Sequence, residues 1–336
     1  MATALLALHE VEKRFPAARG TVRAVEGVSL DLAPGETLGL VGESGCGKTT
    51  LGRLALGLLR PTTGTILFDG QDLQAASGRE RRELTRRAQI IFQDPFSSLD
   101  PRMRAGAIVG EGLTIHGMAG GRQGRRDRVA ELMDLVGLEP SHADRFPHEF
   151  SGGQRQRLGI ARALAVEPDL IVCDEAVSAL DVSVQAQIVN LLADLQRDLG
   201  LAYLFISHDL SVVRYVSDRV AAMYLGAIVE MGPADAVYAD PLHPYTRALL
   251  SAVPTLDPES RKRRIMLEGD VPSPVDPPTG CPFHPRCPER IPGGPEGPSP
   301  CDRLKPRLVS GRADHPVACF LYQDPAMTEA NGERES

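Results

Sequence analysis

Residues 37–49 read Thr37-Leu38-Gly39-Leu40-Val41-Gly42-Glu43-Ser44-Gly45-Cys46-Gly47-Lys48-Thr49. The first five form a short apolar run, the pattern of a buried strand. The last eight match G-x-x-x-x-G-K-[ST] at every position. Residues 49–59 then read as a helix. A phosphate cradle needs strand, glycine loop and helix in that order. Glycines let backbone N–H groups turn inward around phosphate oxygens, and the helix points its N-terminus at the same anion. Lys48 brings charge to the β- and γ-phosphates, and the Thr49 hydroxyl can ligate Mg2+. The candidate nucleotide contacts here are Gly42, Glu43, Ser44, Gly45, Cys46, Gly47, Lys48, Thr49 and Thr50.

A second element completes the chemistry. Leu170-Ile171-Val172-Cys173-Asp174-Glu175 is an apolar strand ending in two carboxylates. Asp174 is placed to hold Mg2+, directly or through water. Glu175, one residue on, is placed to orient and deprotonate an attacking water. Two acids after a strand carry little alone, since turns often contain them. With the glycine loop upstream they become a set.

The rest of the chain supports an α/β fold. Val28, Leu30 and Leu32 alternate with Ser29 and Asp31, a half-buried strand, and Pro34-Gly35 turns the chain. Helices are expected at 125–136, 153–166 and 182–199, and a buried strand at 203–206. Buried strands alternating with helices imply a largely parallel sheet.

Composition narrows the class. The net charge of −7 argues against nucleic-acid binding, which rewards basic surfaces. The run Arg261-Lys262-Arg263-Arg264 reads as a solvated stretch. The best apolar run, Val220 to Val229, is about half the ~20 residues a membrane helix needs. No basic start and apolar block open the chain, so a cytoplasmic location is expected. There, the six cysteines are not expected to form structural disulfides. Of the 27 prolines, 16 lie from Pro254 onward, which places the end of the compact domain near residue 253 and a loop-rich extension at 254–336. Such a segment is expected to need a cross-link to stay ordered.

Ser151-Gly152-Gly153-Gln154-Arg155-Gln156-Arg157 offers a hydroxyl, two bare glycine N–H groups and a helix start, a second anion cradle on the same chain. With this element, from about Leu5 to Val253, the chain resembles the ABC ATPases. The resemblance implies a P-loop NTPase core with an antiparallel β subdomain and a helical signature subdomain. It also implies a head-to-tail dimer, in which Ser151, Gly152, Gly153 and Gln154 of one subunit close on the ATP of the other. By the same resemblance Gln93, in Ile91-Phe92-Gln93-Asp94, touches Mg2+ and the attacking water. Asp181, in Ser178-Ala179-Leu180-Asp181, belongs to a loop that communicates across the dimer. His208 is the switch histidine that reaches the γ-phosphate, and Phe15 stacks on adenine. Lys48, Glu175 and His208 are the implied catalytic set.

Three stretches are similar to the oligopeptide and dipeptide importer ATPases: Phe92 to Arg102, Val177 to Gln187, and His243-Pro244-Tyr245-Thr246-Arg247-Ala248-Leu249-Leu250. Ala176 departs from the proline usual there, which removes no catalytic group. The resemblance implies two membrane permease subunits, a second ATPase subunit, identical or related, and an external solute-binding protein. Nickel or another small solute is the alternative cargo. A soluble ABC ATPase working outside transport is the alternative class; such proteins usually carry two ATPase units or a long coiled-coil insertion, and this chain has neither. Cys281, Cys287, Cys301 and Cys319 resemble the C-terminal cysteine motif of the importer group, which implies a four-iron, four-sulfur cluster, with Zn2+ and then free thiols as the alternatives. The spacing lacks the C-x-x-C pairs of common zinc sites. His284 and His315 are candidate further ligands but read first as surface histidines.

Overall fold

The computed structural model describes residues 4–18, 20–94, 98–253, 265–294, 297–312 and 314–325. The run Arg261–Arg264, the stretch Pro95-Phe96-Ser97 and the expected boundary at Pro254 lie outside them.

Two sheets organise the chain. The smaller is antiparallel: β1 (Leu6–Ala17), β2 (Gly20–Leu32), β4 (Thr63–Phe68) and β5 (Gln71–Asp72), in the order β2-β1-β4-β5. The alternation Val28, Leu30, Leu32 marks only the end of β2, and these side chains are buried with Leu6 and Leu8 of β1 on one face. The polar first half of β2 gives no such signal, so the strand is longer than its apolar pattern.

The larger sheet holds β3 (Thr37–Val41), β6 (Ala88–Ile91), β7 (Leu170–Asp174), β8 (Ala202–Ile206), β9 (Arg219–Tyr224), β10 (Ala227–Pro233), β11 (Val309–Arg312) and β12 (His315–Val317). Its order is β11-β12-β10-β9-β3-β8-β7-β6. The run β9-β3-β8-β7-β6 is parallel, and the other pairings are antiparallel. The parallel strands are buried on both faces, which is why they read as apolar runs. Alternate residues feed two cores. Leu170 and Val172 of β7, with Leu204 and Ile206 of β8, pack towards α1 (Lys48–Ala55) and the small sheet. Ile171 and Cys173, with Tyr203 and Phe205, pack into the other core.

The other α-helices among the described residues are α2 (Gly78–Arg87), α3 (Ala105–Val109), α4 (Glu111–His116), α5 (Gly121–Leu135), α6 (Gly152–Leu164), α7 (Val182–Leu199), α8 (Leu210–Val216), α9 (Ala234–Ala239), α10 (Pro244–Ser251) and the short α11 (Pro300–Arg303). α7 coincides with its expected span and ends at Gly200, in the left-handed region at φ 68°. α1 ends four residues before Leu59, because Gly57 turns left-handed at φ 65°. The apolar run from Val220 is a hairpin: β9 and β10 are joined through Leu225 and Gly226, at φ 43° and 83°. No described helix is long and apolar enough to cross a membrane.

The extension is sewn onto the core sheet. β12 pairs with β10 at Val317 and Glu230. Phe283 is fully buried against Tyr224 and Tyr245, with ring centroids 5.2 and 5.5 Å away. The expectation of a surface His315 is corrected: its side chain is 6% exposed, and Nε2 lies 2.7 Å from a fully buried Glu230 carboxylate. That carboxylate also accepts the backbone N–H groups of Leu242 and His243. A buried acid needs such partners, and this one draws them from both β12 and the segment leading into α10. His284 is half-buried rather than at the surface, its Nδ1 2.9 Å from the Cys281 carbonyl.

Candidate nucleotide site

The site forms where β3, β6, β7 and β8 end, at the carboxyl edge of the parallel sheet, the position where open α/β sheets bind ligands. β3 runs into the loop Gly42–Gly47, and α1 starts at Lys48. The glycines at 42 and 47 are sterically required. Gly42 has φ 155°, and a Cβ there would lie 2.3 Å from the Met223 carbonyl oxygen. Gly47 has φ 111°, and a Cβ there would lie 2.2 Å from the Ala24 carbonyl oxygen. The loop is wedged between β9 and β2, which holds its shape before any ligand arrives.

Lys48 is 5% exposed. Its ammonium donates to the carbonyls of Gly42 and Glu43 at 2.8 and 3.0 Å, so it lies folded across the loop's own concavity. The Thr49 hydroxyl donates to Asp174 at 2.9 Å, although β8 separates β3 from β7 in the sheet. Burial raises the Asp174 pKa against the opposing Thr49 hydrogen bond and the more distant Lys48 and Arg53. A buried, undercompensated carboxylate beside a hydroxyl is an oxygen donor pair suited to a hard divalent cation. These two residues therefore fit Mg2+.

Glu175 is a junction. Its backbone N–H donates to the Ile206 carbonyl at 2.9 Å, tying it to β8. Its φ is 50°, uncommon for a side chain with Cβ, and its carbonyl accepts both the N–H and the hydroxyl of Ser178. Glu175 Oε2 accepts from Gln93 Nε2 at 2.7 Å and lies 3.4 Å from His208 Nδ1. Three residues expected from separate stretches thus meet at one carboxylate. Ala176 is buried in the larger core beside Val177.

The second cradle is self-contained. Ser151 caps α6: its hydroxyl accepts the Gln154 N–H at 3.3 Å, and Gln154 Oε1 accepts the Ser151 N–H at 3.0 Å. Asp181 caps α7 in the same way through Val184 N–H, at 3.0 Å. The two caps are adjacent, since a Cβ on Gly153 would meet Val184 Cγ1 at 2.4 Å. Ser151 to Gln154 make no described hydrogen bond to the Gly42–Thr49 loop of their own chain. Phe15 also stands apart. It sits half-exposed on β1 under the Lys13 ammonium, 5.0 Å from the ring centroid, and pairs with Val22, two residues along β2 from Ala24.

Cys281, Cys287, Cys301 and Cys319 line one cavity with Phe283 and Phe320. Burial and the neighbouring cysteines push the Cys281 thiol up to about 12 and the Cys319 thiol to about 11. Among the described residues, no group of three or more His, Cys, Asp or Glu side chains converges to hold a metal ion. The expected Zn2+ alternative therefore lacks a converged donor set here, and the iron–sulfur expectation has only the shared cavity behind it. None of the six cysteines is disulfide-bonded.

Sequence reasoning missed two partners of the loop. The Glu43 N–H donates to the Tyr245 hydroxyl at 2.8 Å, and the Glu43 carboxylate is paired with Arg286. Only the tertiary fold brings positions 245 and 286 to position 43. No local pattern marks them.

Residues 25–178 match the ABC transporter family model, and residues 229–293 match the oligopeptide/dipeptide transporter C-terminal region. The oligopeptide transport ATP-binding protein AppF of Bacillus subtilis is 50% identical over 328 residues, covering 95% of this chain and 97% of AppF. A dimeric ATP-binding cassette determined in a post-hydrolysis state with ADP and Pi aligns with TM-score 0.62 at 29% identity, over 68% of this chain and 98% of its own. CbiO1 of Clostridium perfringens, part of the cbiONQ ABC transporter complex, aligns with TM-score 0.63 at 29% identity, over 70% and 91%. The chain is an ATP-hydrolysing subunit of the ABC transporter family, in the branch that carries the oligopeptide/dipeptide transporter C-terminal region.

Proposed function

We propose that this chain binds MgATP on the Gly42–Thr50 loop and hydrolyses it at a composite site closed by Ser151 to Gln154 of the partner subunit, powering import of di- or oligopeptides. The observation that carries the hydrolytic reading is the meeting of Gln93 and His208 at Glu175 Oε2, beside the Thr49–Asp174 pair.

Each group has a distinct task. Lys48 leaves the Gly42 and Glu43 carbonyls for the β- and γ-phosphates. Thr49 and Asp174 would hold Mg2+ with Gln93 near it, and the bound ion would neutralise charge on the phosphate oxygens. Glu175 orients the attacking water and takes its proton, while Gln93 fixes that carboxylate. His208 and Lys48 stabilise negative charge developing on the γ-phosphoryl oxygens. The helix dipole and free N–H groups at the start of α6 would supply the far wall, with Asp181 holding the neighbouring loop. Purified Glu175→Gln protein is expected to bind ATP with wild-type affinity and to turn over more slowly by on the order of 10²–10⁴. Near-normal turnover would remove Glu175 from this role.

The peptide assignment follows the relatives' names, and the partners follow the family: a second ATPase subunit, two permeases, an external binding protein, and a seat on the cytoplasmic face of the membrane. Co-purification with two polytopic membrane proteins, and uptake of labelled dipeptides but not nickel, would support it. The finer reading of the extension is residues 254–336 built around a four-iron, four-sulfur cluster on Cys281, Cys287, Cys301 and Cys319. Its support is the four thiols on one cavity, since polynuclear clusters are held by donors spread around them. Stoichiometric iron and acid-labile sulfide would support the cluster; zinc alone, or neither, would overturn it.

A further inference from the structure

The Cys281–Cys287 turn reaches the phosphate loop. Between these cysteines, residues His284–Arg286 form a single 3-10 turn, closed by Arg286 N–H donating to the Phe283 carbonyl at 3.0 Å. Arg286 Nη1 and Nη2 then meet the two carboxylate oxygens of Glu43 at 2.8 and 3.1 Å. This is the parallel two-point geometry that fixes a carboxylate in orientation as well as position. The arginine side chain is 8% exposed and Glu43 25% exposed. The guanidinium is held above its ordinary pKa, first by the Glu43 hydrogen bonds.

Glu43 is therefore gripped from three sides. Its N–H donates to Tyr245, its carbonyl accepts from Lys48 and its carboxylate is clamped by Arg286. Tyr245, Phe283 and Tyr224 form one buried aromatic cluster, with centroid separations of 4.8 to 5.5 Å, so two of the three grips share a single support. The phosphate loop must present its N–H groups in a strained backbone, and such backbone persists only where its surroundings over-determine it.

We propose that Arg286 is a positioning residue for ATP: it acts through Glu43 to hold the loop in its phosphate-accepting shape, so the cysteine-bearing turn of the extension sets nucleotide affinity. The inference rests on the reading of this loop as the nucleotide site. Arg286 does not touch the nucleotide in this account, so its removal should weaken ATP binding and raise KM more than it lowers kcat.

The test is a double-mutant cycle on the full-length protein with a fluorescent ATP analogue: Arg286→Met, Glu43→Gln and the two combined, with melting temperature recorded for each. The expected result is a loss of affinity on the order of tenfold for Arg286→Met. The combined variant should be no weaker than the weaker single variant, because both changes break one link. Arg286→Lys, which keeps the charge but not the two-point fork, should fall between wild type and Arg286→Met. Unchanged affinity in Arg286→Met, or fully additive losses, would overturn the inference. Should Arg286→Met fail to fold, the comparison of Arg286→Lys with Glu43→Gln decides it by the same affinity readout. A wild-type protein that binds no nucleotide would instead sink the reading of the loop itself.

Discussion

The phosphate loop is a polar site at the carboxyl edge of the larger sheet and the four-cysteine cavity is a largely apolar one, and the two are assembled in opposite ways. The loop is local. Thirteen consecutive residues, Thr37 to Thr49, supply the strand, the turn and the helix start, and its two obligatory glycines are fixed by contacts with Met223 and Ala24. The cavity is distributed. Its four thiols come from positions 281, 287, 301 and 319, and its walls include residues near α10 and in the loops after it. The loop's residues are contiguous and distant partners such as Tyr245 and Arg286 only brace it, whereas the cavity exists only once the chain around it has docked. The docking here runs through Glu230, Phe283 and Arg286, each of which ties the extension to the ATPase core.

If that distinction holds, Glu230→Gln should act on the extension far more than on the loop. It replaces the buried carboxylate that contacts His315 and accepts the Leu242 and His243 N–H groups, and disturbing such a buried hydrogen-bond set costs about 1–3 kcal/mol. Urea unfolding should register the loss, while ATP affinity should fall less. The pH dependence has a definite sign. Burial raises the Glu230 pKa, but the contact with His315 and the hydrogen bonds from the Leu242 and His243 backbone outweigh it, and the net shift is downward from 4.5. A carboxyl with a lowered folded pKa contributes fully above 4.5, and the contribution disappears as pH falls through the lower folded value. Wild type should therefore lose stability on acidification below that point more steeply than Glu230→Gln. Equal slopes would remove Glu230 as the tether.

Gly47→Ala probes the other side of the comparison. Its Cβ would collide with the Ala24 carbonyl at a φ of 111°, strain of roughly 2 kcal/mol that must be relieved by moving the loop. ATP affinity should drop by on the order of thirtyfold while the melting temperature changes little. A stability loss with intact affinity would mean that the glycine serves packing alone. Phe15→Ala should have the smallest effect, about fivefold in affinity if the ring stacks on adenine. No change would reduce Phe15 to a partner of Lys13.

The sequence disclosed these two regions unequally, and for the same reason. Asp174, Glu175, Gln93 and His208 sit at or just past the ends of short strands, and Lys48 and Thr49 open the helix after the β3 loop; strand patterns and motif chemistry mark Lys48, Thr49, Asp174 and Glu175, while Gln93 and His208 are marked by the family resemblance. The parallel order itself follows from burial on both faces, and α7 was legible from its period of 3.6. By contrast, β1 and the start of β2 carry mixed polar residues and left little pattern. The contact between Arg286 and Glu43 spans 243 positions and carries no local mark. His315 looked like a surface residue because its partner Glu230 lies 85 positions away on another strand.

The composite pocket is the claim on which the mechanism stands, and Ser151 is its most direct probe, since its hydroxyl caps its own helix and makes no described hydrogen bond to its own phosphate loop. Ser151→Arg in the assembled transporter should keep nucleotide binding to each chain and lose ATP turnover by on the order of a hundredfold, the loss expected when a preorganised donor at a reacting phosphate is blocked. Wild-type turnover by that variant would mean that each chain hydrolyses ATP without its partner's help, and the two-subunit site would have to be abandoned.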